Sequence, residues 1–451
     1  MLIQSFKNRY LNIVNFSALE YAGGTMLDMT RHVNSWYAAT ASRRTDYPML
    51  RGEVRADVAV VGAGFTGLST ALSLAERGYD VVVLEAKKVG WGASGRNGGQ
   101  LIDGFVDTDK IERRLGREAA AIAWQMGIEC RDLVLERIER YGIECDLKFG
   151  YIDLALNRRD VDHFRAEIER RQRLGYPHEL VFVPKADLPA YVGSDRYVAG
   201  LVNRANGHLH PLNLCIGEAA AAEANGVRLY ERSPVLRIRH GREALVETEN
   251  GCVRAANLVL AGNAYLGRTE PKLYGTVIPA GSYLIATEPL GEERARELLP
   301  QDMAACDQKV ALDYFRLTSD RRLLFGGLCN YSGRTPRDIT AALRPNMLRV
   351  FPQLADARIE YEWGGDIAIS IKRIPQFGRI GTNTYYAQGY SGHGLAPSHL
   401  AGKVLADAIA GDTERFDVFA RIRHLRLPGG KWFANPVLAL GMLYYRLKEL
   451  L

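Results

Sequence analysis

The stretch "DVAVVGAGFTGLSTALSLAERGYDVVVLEA", residues 57–86, decides the fold of this chain. An apolar run at its start leads directly into Gly62, Gly64 and Gly67, which are spaced as G-x-G-x-x-G. In such a motif the first glycine permits a tight turn, and the second lets a pyrophosphate approach the backbone. The third lets a helix pack closely on the strand. The pattern predicts the start of a dinucleotide-binding unit.

The residues after these glycines complete the unit. Residues 66–77 are predicted to form a helix whose free N–H groups and positive dipole end face the phosphates. The run "YDVVVLE", residues 79–85, is predicted to be a second parallel strand. Glu85 at its end can accept hydrogen bonds from both hydroxyls of a ribose, which favours FAD or NAD over NADP.

Composition limits the function. With 451 residues, 47% of them hydrophobic, the chain is expected to form two domains. The net charge of +6 is scattered without a polybasic tract, which argues against a nucleic-acid partner. Six cysteines without a CxxC pair or zinc spacing fit a reducing cytoplasm. No apolar run is long enough for a membrane span, and residues 1–29 lack the compact apolar core of a signal peptide.

A second glycine-rich segment, "AKKVGWGASGRNGGQL", covers residues 86–101. Its five glycines exclude a helix interior, since each would cost about 1 kcal/mol there. Backbone of this kind suits close contact with a flat, extended ligand, with a flexible surface loop as the alternative. The segment resembles the FAD-dependent oxidoreductases of the D-amino-acid oxidase and glycine/sarcosine oxidase superfamily. Three later motifs are similar to the same superfamily, above all to its polyamine-catabolic amine oxidases: "NGHLHPLNL" (206–214), "AGNAYLG" (261–267) and "YYAQGYSGHG" (385–394).

The resemblance implies an α/β chain in which a Rossmann-like FAD-binding domain is interleaved with an antiparallel-sheet substrate domain. The turn within 385–394 is predicted to feed a second helix near Leu395, whose N–H groups stabilise the negative charge of reduced flavin. The predicted FAD-binding domain consists of 52–104, 206–265 and 361–412, the substrate domain of 105–205 and 266–360, and the two extensions of 1–34 and 413–451.

The same resemblance implies a noncovalent FAD held by residues from several segments. The predicted contacts are Gly62, Gly64, Phe65, Thr66, Gly67, Glu85, Ala86, Lys87, Gly92, Ala93, Ser94, Asn97, Gly98, Gly99, Gln100, Leu101, Val235, Ala261, Gly262, Gly365, Gly389, Gly392, His393, Gly394 and Leu395.

The implied reaction is hydride transfer from an amine to flavin, hydrolysis of the resulting iminium by water, and reoxidation by O₂ with release of hydrogen peroxide, or by another acceptor. His393 is expected near the flavin pyrimidine end or the oxygen site, with a structural loop histidine as the alternative. Tyr390 is expected to line the substrate face.

The predicted roof of the substrate domain supplies further candidates. Tyr314 and Arg316 alternate on the strand "LDYFRL", where Arg316 could bind a carboxylate in a bidentate manner or make an exterior salt bridge. Lys372 and Arg373 together would favour a carboxylate-bearing substrate.

Three functions remain open from the sequence. The first is oxidation of a γ-glutamylated polyamine or similar amine, and the second is oxidation of an N-substituted glycine such as sarcosine or iminodiacetate. The third is a non-catalytic flavoprotein. His208 and His210 have no third ligand nearby in sequence, so no metal is expected. The oligomeric state stays undetermined.

Overall fold

The computed structural model describes residues 21–22, 25–26, 31–309, 311–330 and 335–426. Most of the predicted extensions, namely 1–20, 23–24, 27–30 and 427–451, lies outside these residues.

The structure contains nineteen strands in its described part. In chain order these are β1 (Tyr21–Ala22), β2 (Thr25–Met26), β3 (Gly52–Val61), β4 (Val81–Leu84), β5 (Gln100–Leu101), β6 (Lys148–Ala155), β7 (Leu180–Pro184), β8 (Ala199–His208), β9 (Arg228–Tyr230), β10 (Arg237–Arg239), β11 (Ala244–Glu247), β12 (Gly251–Leu260), β13 (Val277–Thr287), β14 (Ala304–Asp307), β15 (Tyr314–Leu317), β16 (Leu323–Asn330), β17 (Ile359–Ser370), β18 (Gln376–Ile380) and β19 (Thr384–Gln388).

The α-helices of the same residues are α1 (Trp36–Ala39), α2 (Phe65–Ala75), α3 (Thr108–Leu115), α4 (Arg117–Arg140), α5 (Arg158–Arg173), α6 (Pro211–Ala224), α7 (Gly291–Leu298), α8 (Ile339–Val350), α9 (Leu395–Ile409) and α10 (Glu414–Ala420). None of the helices in the described ranges is both long and apolar enough to cross a membrane.

The first large sheet carries the dinucleotide-binding unit. Its strand order is β10-β11-β12-β3-β4-β9, and β19 joins β12 and pairs with β18. Strands β12, β3, β4 and β9 run parallel. The four residues of β4 are buried, as expected for a parallel strand covered on both faces. The strand, helix and strand predicted from 57–86 are therefore present as β3, α2 and β4.

The second large sheet has nine strands and forms the roof of the substrate domain. Its order is β17-β13-β16-β15-β14-β6-β8-β5, with β7 added beside β8, and most neighbours are antiparallel. Strands β15 and β16 form an antiparallel hairpin in which Arg316 lies opposite Leu324.

The predicted domain boundaries need two corrections. Helix α4, assigned to the substrate domain, places Met126 and Val134 in the same apolar core as Leu68 and Leu400 of helices α2 and α9. Its apolar stripe covers these two helices, so it belongs to the cofactor domain. Strand β17 was assigned to the cofactor domain within 361–412, but it pairs with β13 in the roof sheet.

Two features at the edges of the domains are set by local contacts. Helices α3 and α4 are separate, because Gly116 between them has a φ of +88° that ends one helix before the next begins. The short helix α1 lies within residues 35–41. Its Trp36 and Tyr37 are buried against α6 and the roof sheet.

Candidate active site

A cavity of about 400 Å³ lies between the two large sheets. It is lined by four groups of residues that are far apart in sequence: the start of α2, the second glycine-rich segment, the roof strands, and the turn before α9. The predicted site residues on its wall are Gly64, Phe65, Thr66, Ala93, Ser94, Asn97, Gly98, Gln100, Ala261, Tyr314, Gly365, Arg373, Tyr390, Gly392, His393, Gly394 and Leu395.

Helix α2 opens onto one end of this cavity. It begins after Gly64, which provides no side-chain cap, and the N–H of Phe65 donates to Ser94 Oγ at 3.0 Å. A Cβ on Gly64 would lie 2.8 Å from that same oxygen, so the backbone approach requires glycine. Gly62 has a φ of +106°, and a Cβ on Gly67 would overlap the carbonyl oxygen of Gly62. The positive φ of Gly62 and the close packing at Gly67 are those expected for the first and third glycines of the motif, and the approach of a pyrophosphate to Gly64 stays a prediction.

Glu85 is held rigidly at the end of β4. Its Oε2 accepts the N–H of Ala63 at 2.9 Å, and its Oε1 accepts the N–H of Lys87 at 2.9 Å. Burial raises the pKa of this carboxyl, although the two N–H groups favour the carboxylate. Each oxygen can accept one further hydrogen bond. The carbonyl of Glu85 accepts the N–H of Ser233, which places the segment containing Val235 beside it.

Helix α9 opens onto the cavity with a second uncapped N-terminus. Gly394 precedes it without a side-chain cap, and Leu395 begins it on the cavity wall. The turn that leads to the helix is anchored by Asn263, whose Oδ1 accepts the N–H of Gly389 at 2.9 Å. Tyr390 lies 2.7 Å from Thr66 through their hydroxyls, which connects this turn to helix α2.

His393 lies on the cavity wall within the same turn. Its Nε2 is 2.9 Å from the carbonyl oxygen of Gly104, so that nitrogen carries the proton and donates it. The exposed side of the ring belongs to the cavity, while the surrounding protein desolvates the imidazole and lowers its pKa. His393 is therefore a neutral imidazole at pH 7 with a fixed tautomer. Burial raises the pKa of the neighbouring Tyr390, which stays a neutral phenol.

Tyr314 reaches the cavity from the roof. Its ring fills a slot between Gly98 and Gly326, and a Cβ on either glycine would collide with it. Its hydroxyl is 3.4 Å from Ser282 Oγ, and burial raises its pKa. The aromatic ring thus contacts both the glycine-rich segment and the roof sheet.

The predicted role of Arg316 as a carboxylate clamp is wrong. Arg316 is 1% exposed, and its guanidinium donates to the carbonyl oxygens of Gly98 at 2.8 Å, Leu317 at 3.0 Å and Leu209 at 2.9 Å. It also donates to the hydroxyl of Tyr37 at 3.1 Å. All three nitrogens are used in holding backbone, so it neither faces the cavity nor makes an exterior salt bridge.

The structure also separates the predicted cation pair. Lys372 donates to the backbone carbonyl of Arg423 and does not lie on the cavity wall. Arg373, with a φ of +54°, does line the cavity. The two residues therefore do not act as a pair on the cavity wall, and a role of Arg373 near the flavin stays a prediction.

The remaining predicted cofactor residues lie beside the cavity. The Nζ of Lys87 lies 3.2 Å from the centroid of the Trp91 ring, and Ala86 is exposed. A Cβ on Gly92 would lie 3.1 Å from the ring of Tyr265. The other residues of this set pack within the protein next to the lining residues. Gly99 packs on Leu209 and Arg316, Leu101 is buried in β5, and Gly262 packs on Leu266.

The two candidate histidines of β8 and α6 have structural partners. His208 Nε2 lies 2.8 Å from the carbonyl oxygen of Asp302. His210 Nδ1 accepts the N–H of Asn213 at 3.1 Å and so caps helix α6. No cluster of three metal-binding side chains occurs in the part of the chain that the structure describes.

Several residues of the cavity wall were not predicted. Asn263 and Arg96 lie within two of the motifs discussed above. A polar side chain within a segment of small residues is the signal that could have identified each of them as a site residue. Ser282, Cys306 and Ile367 come from roof strands whose pairing the sequence does not show. Among the residues described, the wall includes arginine and histidine but no aspartate or glutamate.

These features fit bound FAD. Two uncapped helix N-termini face the cavity, a rigid carboxylate follows the second parallel strand, and glycines leave the backbone accessible between them. A dinucleotide fingerprint joined to a large roof sheet over the same cavity is the arrangement expected of a flavin-dependent oxidoreductase. The chain belongs to the DAO family of FAD dependent oxidoreductases, whose family model matches residues 57–408.

Known proteins of this family are similar over nearly the whole chain. The chain is 44% identical over 423 residues to the γ-glutamylputrescine oxidoreductase of Escherichia coli, which covers 93% of this chain and 99% of that protein. It is 40% identical over 422 residues to the probable oxidoreductase OrdL of Haemophilus influenzae, covering 92% and 97% of the two chains. The crystal structure of glycine oxidase from Geobacillus kaustophilus superposes with a TM-score of 0.69 at 23% identity, over 82% of this chain and all of that one. The chain is therefore an FAD-dependent oxidoreductase.

Proposed function

We propose that this protein oxidises a C–N bond of γ-glutamylputrescine or a closely similar amine, producing an imine that water hydrolyses to a carbonyl compound and ammonia, or to a carbonyl compound and a smaller amine where the substrate nitrogen is substituted. The observation that carries the proposal is the 44% identity to γ-glutamylputrescine oxidoreductase over 99% of that protein. Bound FAD supplies the hydride acceptor. We further propose that the FAD is held noncovalently and that O₂ reoxidises it with release of hydrogen peroxide.

The cavity wall supports oxidation of a neutral amine. The ammonium form of the substrate must first lose a proton, because only the neutral amine can release its α-hydrogen as hydride. A neighbouring carboxylate would stabilise the ammonium form, whereas a cation and an apolar wall disfavour it. The described wall contains Arg373, the neutral imidazole of His393 and the hydroxyls of Tyr314 and Tyr390, without a carboxylate. These groups support a role in which they orient the substrate while leaving its amine deprotonated.

A second candidate is oxidation of an N-substituted glycine such as sarcosine or iminodiacetate. It is supported by Arg373, a cationic residue of the cavity wall that a substrate carboxylate could approach. γ-Glutamylputrescine also carries a carboxylate, so Arg373 is compatible with both candidates, and the sequence identity favours the first.

The test is reduction of the bound flavin by substrate without oxygen, which is measured by the loss of the visible absorption band of the flavin. The substrate panel is γ-glutamylputrescine, putrescine, spermidine, sarcosine and iminodiacetate. We expect γ-glutamylputrescine to reduce the flavin fastest, and admission of air to restore the band with one hydrogen peroxide per turnover. Reduction by the glycine derivatives alone would replace the first candidate with the second. Reduction by none of the panel would contradict both candidates and favour a non-catalytic flavoprotein.

Arg373→Gln provides a matched test of the carboxylate contact, with Arg379→Gln as an exposed control on the neighbouring strand. Loss of a charged hydrogen bond should raise KM for γ-glutamylputrescine about 10-fold. An unchanged KM would remove Arg373 from the substrate contacts.

A further inference from the structure

Arg96 is a buried cation on the cavity wall whose hydrogen-bonding capacity is only partly used. It is 8% exposed, and its Nη1 donates to the carbonyl oxygen of Gly364 at 3.1 Å. Its Nε and Nη2 have no hydrogen-bond partner in the structure as described. A buried charge with unpaired donors is expensive unless a counter-charge binds to it. The two free donors therefore indicate an anion in the cavity.

The neighbours of Arg96 indicate where in the cavity this anion would lie. The guanidinium carbon lies 3.8 Å from the centroid of the Trp91 ring, and Lys87 Nζ lies over the same ring at 3.2 Å. Lys87 follows Glu85, the carboxylate placed for a ribose, by two residues. At the other side, a Cβ on Gly365 of the roof would lie 3.1 Å from Arg96 Cδ. Arg96 thus stands between the ribose carboxylate and the roof sheet.

The acidic groups near Arg96 do not accept hydrogen bonds from its Nε or Nη2. Asp366 and Tyr265 act on Arg96 through their electrostatic fields, but neither hydrogen-bonds to it. The Tyr265 hydroxyl instead accepts the N–H of Asp366 at 2.9 Å. Burial lowers the pKa of the guanidinium, as expected for a cation that lacks a direct counter-ion.

We propose that Arg96 binds the diphosphate of FAD through Nε and Nη2. In a dinucleotide the diphosphate joins the adenosine to the rest of the cofactor, which is the position of Arg96 between Glu85 and the roof. Ser94, two residues earlier, accepts the first N–H of helix α2, so the same turn contacts the helix N-terminus predicted to face the phosphates. The fork of a guanidinium matches two phosphate oxygens, and its charge adds to that of the helix dipole.

The test separates the diphosphate from the rest of the cofactor. Apoprotein is prepared from the holoprotein, and ADP and adenosine are measured as competitors of FAD rebinding. We expect Arg96→Gln to weaken FAD and ADP about 10- to 100-fold and to leave adenosine within about twofold of wild type. The affinity for FAD should also fall less steeply with salt in Arg96→Gln. Arg55→Gln, an exposed arginine of β3, is the control and should change none of these values.

Arg96→Lys keeps the charge but not the fork, and is the second variant in case Arg96→Gln does not fold. It should weaken ADP about threefold relative to adenosine. An equal loss of ADP and adenosine in either variant would show that Arg96 only packs the loop. Unchanged FAD and ADP binding with a raised KM for the substrate would show that the anion is a substrate carboxylate. Neither measurement of nucleotide binding depends on the proposed substrate, so this proposal and the proposed function fail separately.

Discussion

The hydroxyl of Tyr390 lies 2.7 Å from the hydroxyl of Thr66, although 324 residues separate them in sequence. Thr66 is in the first turn of helix α2, and Tyr390 is in the turn that leads into helix α9. The same two helices are joined further along, where the Ser69 hydroxyl donates to the carbonyl of His399. Gly402 lies so close that a Cβ there would meet the Thr66 carbonyl oxygen at 2.6 Å. The two helices that open onto the cavity are one packed unit.

Removing the hydrogen bond between Tyr390 and Thr66 should weaken both the fold and cofactor binding. Tyr390→Phe and Thr66→Val each remove one hydroxyl with little change of shape. A double-mutant cycle on the free energy of unfolding in urea should give a coupling of about 1 kcal/mol. If the two effects simply add, the contact does not couple the helices.

Glu85→Ala should weaken FAD binding about 10- to 100-fold, because the ribose hydroxyls would lose their charged acceptor. Flavin fluorescence after dilution of the purified protein measures the released cofactor. Glu53→Ala, which removes a surface carboxylate from neighbouring strand β3, is the control. A Glu85→Ala protein that keeps its full yellow colour on dilution would rule out the ribose contact.

Gly64→Ala should leave a folded protein that binds FAD at least about 10-fold more weakly. The added methyl group meets only the Ser94 hydroxyl, at 2.8 Å, but it occupies the approach to the N-terminus of α2. Circular dichroism would report the fold and flavin fluorescence the binding. Gly241→Ala, in a surface turn, is the matched control. Normal FAD affinity in Gly64→Ala would mean that the phosphates do not pass there.

Arg316→Met should destabilise the protein by about 3–5 kcal/mol, because three carbonyl oxygens and the Tyr37 hydroxyl lose their buried donor. Arg316→Lys should rescue little, since an ammonium cannot reach all of these acceptors at once. Urea denaturation of the holoprotein measures the effect. Unchanged stability together with a raised KM would restore the substrate clamp predicted from the sequence.

Protonation of buried histidine should make the protein less stable in acid. Burial, together with the charge of Arg316, lowers the pKa of His210 to about 3 from its ordinary 6.5. Between these values the unfolded chain binds a proton that the native protein does not, so stability falls as the pH falls below 6.5. The loss is about 1.4 kcal/mol for each pH unit.

His210→Asn isolates this effect, because asparagine also caps helices but does not titrate. Between pH 7.5 and pH 5 the wild type should lose about 2 kcal/mol more than His210→Asn in urea unfolding. His208, whose pKa is also lowered to about 3, stays in both proteins and contributes equally. Parallel pH profiles would show that His210 is not neutral in the native state.

The parts of the fold that depend on local signals could be predicted. The unit from β3 to β4 follows from glycine spacing and an apolar strand, and the start of α9 at Leu395 follows from the glycine turn before it. The positions of α4 and β17 depend on partners far away in sequence, and an apolar stripe does not say which core it joins. Arg316 shows the same limit at the scale of one residue. Alternation along strand β15 leaves two possible faces for the side chain of Arg316. Only the packing of α1 and of the loop that contains Gly98 shows that protein covers the face on which it lies.

The cavity described here includes Gly64 from near the start of the chain and Leu395 from near its end. A ribosome adding 5–20 residues per second needs on the order of tens of seconds to pass from one to the other. Throughout that interval the nascent polypeptide has one half of a binding cleft and no complementary half. Truncated translation products that stop before residue 395 should therefore remain flavin-free, because loading with the cofactor must wait until the turn before α9 has been synthesised.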